Sequence, residues 1–346
     1  MPEKRIAVVG TGANGAAIAA DMTDAGFDVT CIEQWPAHVE AIRDRGVEVR
    51  TPQGGSSITQ LRIHHLCEVA ELRDPFDLVY FVTKAYDARW HAELIRPLLA
   101  PDGLAVGVQN GMTLDEMADV LGPERTFGAV IEIAGNMFEP GVVERQTPKS
   151  GTWFALGPQS DASLLDRAEE LAEPLRSAGA VEVTADVRSA KWMKLVANAA
   201  EMVPSAILGV PLVEALQVEG MREVMDAAGT EALDTALALG CRIVPMFGQE
   251  GIEDLPPERY AAALLDAVLA GWSLESTRVA VLQDWIKGRR AEGEEINGLV
   301  VAEQERLGRS APVNQRLVEL ARRVESGELQ LGLDNAQLLS NLPLGH

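Results

Sequence analysis

The chain has 346 residues, 47% of them apolar but only 5% aromatic, with 30 Lys and Arg against 52 Asp and Glu. That length accommodates two domains with separate cores. A formal net charge of −22 excludes the clustered cations that neutralise phosphates, so neither nucleic acid nor an anionic membrane is expected as a partner.

The first expected strand, Ile6-Ala7-Val8-Val9, runs directly into Gly10-Thr11-Gly12-Ala13-Asn14-Gly15 and a helix-like stretch over 16–25. Gly10 allows the tight turn, and Gly12 lets backbone N–H groups approach a pyrophosphate. Gly15 lets the helix pack close to its strand, with the helix N-terminus facing the negative charge. A second strand over 27–32 ends at Glu33, about 20 residues past the glycines, where a carboxylate binds ribose hydroxyls. A carboxylate there favours a free 2′-hydroxyl and repels a 2′-phosphate. Residues 34–38 bring no Arg or Lys, so NAD(H) is expected over NADP(H). His38 reads as a solvated histidine at a helix start.

Further strands over 47–50, 78–82, 104–108 and 126–133 alternate with helical stretches, as in a doubly wound, mainly parallel α/β sheet of the Rossmann type. Residues 46–63 form a β-ribbon excursion turning at Pro52-Gln53-Gly54-Gly55, and 142–144, 153–156 and 181–184 read as antiparallel additions at the sheet edge. Ligands of such sheets meet the carboxyl ends of the strands. Those ends carry Thr83-Lys84, Gln109-Asn110-Gly111 and Ala134-Gly135. Lys84 suits a ribose or an anionic substrate, and Asn110 both donates and accepts. His64 and His65 point to opposite faces of a strand, which disfavours joint metal ligation. The three cysteines, Cys31, Cys67 and Cys241, give no CxxC motif and no disulfide framework; Cys31 is a core residue.

After about residue 185 the pattern turns helical, over 189–202, 213–239, 257–270, 272–288, 294–307 and 313–325. The expected division is a dinucleotide-binding domain over 1–186 and an all-helical substrate and dimerisation domain over 187–346. The tail after Gly327 is expected to wrap a neighbour or to be mobile. Near the start of the helical half, Lys194 and Asn198 stand at i and i+4 among small apolar residues and share one face. A lysine so placed either snorkels to solvent or is partly buried with a depressed pKa. The second would suit a general acid that protonates a carbonyl oxygen as hydride arrives. In 287–298, spacing alone does not separate Glu292 from Glu294 or Glu295. No apolar run reaches the roughly 18 residues of a membrane span and no signal-peptide pattern opens the chain, so the expected location is cytoplasmic.

Taken in order, these motifs resemble the ketopantoate reductase family, within the 6-phosphogluconate-dehydrogenase-like group, over almost the whole chain. The resemblance is carried by the GxGxxG turn, Thr83-Lys84-Ala85, Gln109-Asn110-Gly111-Met112 and Lys194-Leu195-Val196-Ala197-Asn198. It continues through Leu282-Gln283-Asp284, Glu292, Glu295-Ile296-Asn297-Gly298 and Ala311-Pro312-Val313-Asn314. It implies interconversion of a 2-keto and a hydroxy acid by a nicotinamide cofactor without a metal. Lys194 would be the general acid/base and Glu292 would lie near the nicotinamide and the reacting oxygen. Asn110, Lys84 and Ala134 would line the cofactor crevice, with Asn110 and Asn198 on the substrate.

Departures from the family pattern fall on the substrate side. Polar residues of the family are replaced by Met202, by Leu212 after Pro211, by Thr277 and by Ala280. A site built to hydrogen-bond one group discriminates strongly against a ligand lacking it, so these exchanges change what binds. The resulting expectation is an NAD(H)-dependent oxidoreductase acting on a different, less polar or differently shaped hydroxy/oxo substrate. The alternatives are a 2-dehydropantoate 2-reductase of pantothenate synthesis and a non-catalytic NAD-binding sensor. Retention of both Lys194 and Glu292 speaks against the sensor. Apolar faces in 213–239 and 257–270 leave room for a homodimer.

Overall fold

A computed structural model describes residues 4–159, 161–248 and 251–340. They fall into two compact units, Met1–Arg188 and Ser189–His346.

The first unit contains β1 (Arg5–Val9), α1 (Ala13–Asp24), β2 (Asp28–Glu33), α2 (Pro36–Arg45), β3 (Val47–Arg50), β4 (Ser56–Thr59), β5 (Arg62–His65) and β6 (Phe76–Phe81). It continues with α3 (Ala88–Ile95), β7 (Leu99–Gly107), α4 (Leu114–Leu121), β8 (Thr126–Glu132), β9 (Gly135–Asn136), β10 (Val142–Arg145), β11 (Trp153–Pro158), α5 (Leu165–Leu175) and β12 (Ala180–Val183). An eight-stranded sheet has the order β12-β11-β8-β7-β6-β1-β2-β5. Its strands from β5 to β8 pair in parallel. The chain leaves β1 toward β2 on one side and later returns to β6 on the other, so the strand order reverses beside β1. That reversal opens the crevice where such sheets bind ligands.

Both faces of the sheet are covered, which explains the nearly unbroken apolar strands. Ile6, Val8, Leu78 and Tyr80 join one buried layer, while Ala7, Val9, Val79 and Phe81 join the other. The period of two in β1 and β6 assigns alternate residues to opposite layers. Each fully buried Leu, Ile or Phe contributes about 1.5–3 kcal/mol.

Two of the three edge expectations need correction. β11 does run antiparallel to β8, but β12 is parallel to β11. The strand at 142–145 leaves the main sheet altogether. It pairs with β3 in a second, four-stranded sheet of order β4-β3-β10-β9, where the β3–β4 ribbon is antiparallel. The main-sheet edge beyond β2 is instead taken by β5.

The second unit is helical. The helix α6 (Val187–Leu208) opens just before it, followed by α7 (Leu212–Ala215), α8 (Met221–Ala238), α9 (Pro257–Trp272), α10 (Ala280–Ile286), a π-helical turn (Glu294–Gly298), α11 (Leu299–Arg306), α12 (Pro312–Glu325) and α13 (Ala336–Ser340). The helix expected over 213–239 is split, with Gly220 in a left-handed conformation (φ 80°) between its parts. The one expected over 272–288 forms only over Ala280–Ile286. There hydroxyls compete with the helical pattern, and the Leu274 N–H donates to Thr277 Oγ1 at 2.9 Å. The described part of the tail packs on its own unit. Asn335 Nδ2 donates to the Ile207 carbonyl at 3.0 Å, and Leu339 is fully buried. Among the described residues, no helix is long and apolar enough to cross a membrane.

Candidate active site

In the first unit the glycine turn is clamped from three directions. Gly10 has φ 85°, and a Cβ there would stand 2.7 Å from Thr83 Cγ2 at the end of β6. A Cβ on Gly15 would lie 2.0 Å from the Gly10 carbonyl oxygen, so α1 reaches its strand only because that side chain is missing. A Cβ on Gly12, by contrast, would meet nothing within 4 Å, leaving open space over the start of α1.

Glu33 ends β2 almost wholly buried, at 6% exposure. Its Oε2 accepts from the Thr11 N–H at 2.6 Å and the Thr11 hydroxyl at 3.0 Å. Its Oε1 accepts from the Trp35 N–H at 2.8 Å. A carboxylate offers about four acceptor positions, so this geometry leaves one on Oε1. The turn is also held at the Thr11 carbonyl by His38, which is expected in solvent from the sequence. The ring is fully buried. Nδ1 accepts from the Gly141 N–H at 2.8 Å, so the proton sits on Nε2, which faces the Thr11 carbonyl at 2.9 Å. Pro36 starts α2, its fixed φ suiting the first helical turn on which the histidine stands.

The neighbouring strand ends are tied to each other. Gln109 Nε2 donates to Thr83 Oγ1 at 3.3 Å, and Thr113 Oγ1 donates to Gln109 Oε1 at 3.1 Å. Lys84 and Asn110 follow these positions, both half-buried, and Gly111 behind Asn110 is left-handed (φ 73°). Ala134 anchors the next loop, its N–H donating to Thr147 Oγ1 at 2.8 Å. Asn14, in the first turn of α1, keeps a buried Oδ1 with no hydrogen-bond partner among the described residues. An open patch above Gly12, an orphaned amide oxygen and a remaining carboxylate position fit a dinucleotide bearing hydroxyls.

In the second unit Lys194 is buried (8% exposed), as are Asn198 and Met202 one and two turns further on. The snorkelling alternative is thereby removed. The Lys194 Nζ lies 5.1 Å from the centre of the Phe247 ring, a contact that no sequence motif announces. Lys191, one turn earlier, is buried as well (3% exposed). Burial pulls its ammonium from the ordinary 10.5 to about 8, while the Glu292 carboxylate works in the opposite direction. Glu292 is itself buried, at 3% exposure, while Glu294 and Glu295 are not. The structure thus separates three glutamates that spacing left equivalent.

Two family motif residues prove to be braces, one for α6 and one for α8. Pro204 lies inside α6 and supplies no N–H to the turn before it. Asn297, on the π-helical turn, donates from Nδ2 to the Ala199 carbonyl at 3.0 Å and to Asn314 Oδ1 at 2.8 Å. Asn314 in turn donates to the Ala228 carbonyl at 3.0 Å and to Glu231 Oε2 at 2.8 Å. Of the departures on the substrate side, Leu212 is core (1% exposed) and Ala280 is half-buried. The Thr277 hydroxyl accepts from the Leu274 N–H of its own turn.

A doubly wound sheet with a glycine turn and an acid at the end of β2, followed by a helical unit with a buried lysine, defines a dinucleotide-fold oxidoreductase. The family models described as "Ketopantoate reductase PanE/ApbA" and "Ketopantoate reductase PanE/ApbA C terminal" match residues 6–159 and 186–325. The chain belongs to the ketopantoate reductase family, whose members interconvert CH–OH and C=O groups. It is 28% identical to a 2-dehydropantoate 2-reductase of Archaeoglobus fulgidus over 333 residues, covering 94% of this chain and 100% of that one. A crystal structure of a ketopantoate reductase from Ralstonia eutropha JMP134 superimposes with a TM-score of 0.77 at 27% identity, covering 94% of this chain and 99% of the other. A ternary structure of D-mandelate dehydrogenase with NADH and anilino(oxo)acetate shares the fold, with a TM-score of 0.82 at 20% identity and coverage of 93% and 99%.

Proposed function

We propose that the chain is an NAD(H)-dependent oxidoreductase that interconverts a small 2-oxo acid and its 2-hydroxy acid, with Lys194 as general acid/base. The observation that carries this reading is the buried Lys194 on α6, one turn from Asn198. A desolvated ammonium polarises a carbonyl oxygen and gives it a proton in reduction; as the neutral amine it takes that proton back in oxidation. The nicotinamide, when bound, supplies or accepts the hydride. Asn198 and Asn110 orient the substrate, and the buried Glu292 carboxylate accepts a hydrogen bond beside the reacting oxygen.

Residues 1–186 hold the dinucleotide in this reading and 187–346 hold the substrate. Gly10, Thr11, Gly12, Ala13, Asn14 and Gly15 carry the pyrophosphate, with Lys84 and Ala134 lining the crevice. The single acceptor position left on Glu33 takes one ribose hydroxyl, and its charge repels a 2′-phosphate, favouring NAD(H). The D-mandelate dehydrogenase structure with NADH supports the same preference.

Met202 and Ala280 offer no hydrogen bonds where the family has polar groups, and the Thr277 hydroxyl is engaged locally. These features favour a 2-oxo acid with an apolar side chain. Curated relatives named 2-dehydropantoate 2-reductase favour ketopantoate as the second reading. Steady-state assays with NADH and NADPH against ketopantoate, 2-oxoisocaproate and phenylglyoxylate decide between them. The best kcat/KM is expected with NADH and an apolar acid; a best value with ketopantoate and NADPH overturns the first reading. A homodimer formed through the helical unit and a cytoplasmic location complete the proposal.

A further inference from the structure

Among the described residues, Phe247 is the one non-glycine residue with positive φ, at 61°. Gly248 follows at 65°, so two consecutive residues adopt a left-handed backbone. Only glycine does this without steric cost, because a Cβ crowds the backbone there. Strain of this kind persists where the surroundings over-determine it and the side chain is wanted in that place.

The side chain in question is only 5% exposed. Its ring packs against Trp272 at the end of α9, with centres 4.9 Å apart and planes at 48°. Its centre stands 5.1 Å from the Lys194 Nζ, within the roughly 6 Å over which an aromatic face attracts a cation. Glycine would suit this backbone better, and leucine would fill a similar volume. Neither offers an electron-rich face.

We propose that Phe247 is a positioning residue for Lys194: the left-handed turn presents the ring, backed by Trp272, so that its face holds the ammonium in one place. A lysine head on a four-carbon stem otherwise samples many rotamers, and a misplaced proton donor loses rate steeply. The proposal rests on Lys194 being the acid/base, and its test keeps the two claims apart.

The first measurement needs no turnover. In protein carrying 13C-labelled lysine, the Lys194 Hε resonances, identified by their absence in Lys194→Arg, should be shifted upfield by the ring current. That shift should persist in Phe247→Tyr and vanish in Phe247→Leu. The second uses NADH and the best 2-oxo acid of the panel above. Phe247→Leu should lose about tenfold in kcat, with KM for NADH unchanged, as expected for a lost cation–π contact. Phe247→Tyr should recover most of that rate. A wild-type spectrum with no upfield lysine signal overturns the proposal, whether or not Phe247→Leu folds. So does a folded Phe247→Leu with kcat within about twofold of wild type, since packing alone would explain the ring. A wild-type chain that reduces none of the acids refutes the functional reading, and the lysine resonance still reports the ring's place.

Discussion

The Nε2 of His38 stands 2.9 Å from the carbonyl oxygen of Thr11, while Nδ1 of the same ring accepts from the Gly141 N–H. One neutral imidazole therefore joins the glycine turn to the loop that follows β9. Phe at this position would keep the shape and leave a buried N–H and a buried C=O unpaired, at about 1–3 kcal/mol each. His38→Phe is expected to weaken NADH binding about tenfold, roughly 1.4 kcal/mol, as read by fluorescence titration. An unchanged Kd would show that the turn holds its form without the ring.

Glu33 acts on the same turn through the N–H and hydroxyl of Thr11 and the N–H of Trp35. Glu33→Gln keeps the shape but removes the charge that repels a 2′-phosphate. The NADPH-to-NADH ratio of kcat/KM should rise by about tenfold. Binding of NADH should also weaken, because the amide nitrogen cannot accept from the backbone donors.

Lys194→Met should lower kcat by about 10²–10⁴-fold, the usual contribution of a positioned acid/base. Affinity for NADH should stay within about twofold, as the lost group meets the substrate oxygen only. Turnover at the wild-type rate would end its assignment.

Lys191 carries a pH-dependent cost. Its ammonium is held at about 8 instead of 10.5, so between those values the unfolded chain binds more protons than the folded one. Stability then rises with pH across that window. Below about 8 the penalty of burying the charge is fully present; above 10.5 it is relieved. The stability of the wild type relative to Lys191→Met should climb by about 3 kcal/mol between pH 8 and 10.5, measured by urea melts at each pH. A flat difference would mean that the ammonium is well solvated.

Arg145, on β10, ties α1 to the segments before β11 and β12. It donates to Asp21 Oδ2 at 2.5 Å, to the Thr147 carbonyl, to Thr152 Oγ1 and to the Ala178 carbonyl. Its side chain is 4% exposed and that of Asp21 10%. Arg145→Met strands these acceptors, although Lys149 still reaches Asp21 Oδ1 at 2.6 Å. A loss of about 3 kcal/mol is expected, seen as a fall of roughly 5–10 °C in the melting temperature of this unit.

The sheet was legible because β1 and β6 are apolar over 6–9 and 78–81 and the glycines punctuate at the right place. Period-two alternation assigned neither face of these two strands to solvent, and residues on both faces are buried. The membership of β10 in a second sheet was not legible, since Val142-Val143 fits either sheet and only long-range pairing decides. Lys194 and Asn198 could be placed on one face by spacing, and the lysine's burial followed only from three-dimensional packing. His38 was misjudged for the same reason: a histidine after Pro36 says nothing about which way its ring turns. Phe247 had no local signal at all, because a left-handed phenylalanine looks like any other in the sequence. Asn297 and Asn314 were visible as motif residues, but their partners, the carbonyls of Ala199 and Ala228, the Glu231 carboxylate and each other, are not shown by a string of letters.

Pro204 divides the hydrogen-bond ladder of α6 behind the lysine-bearing turns, and the amide of Asn297 engages the carbonyl of Ala199 just ahead of that break. Asn335 meets the carbonyl of Ile207 near the far end. The two halves of this rod are thus fastened by different parts of the chain. Removing the stretch from residue 328 onward should therefore fray the distal half while the proximal half stays moored through its asparagine pair, so that damage at the chain end reaches the lysine only weakly.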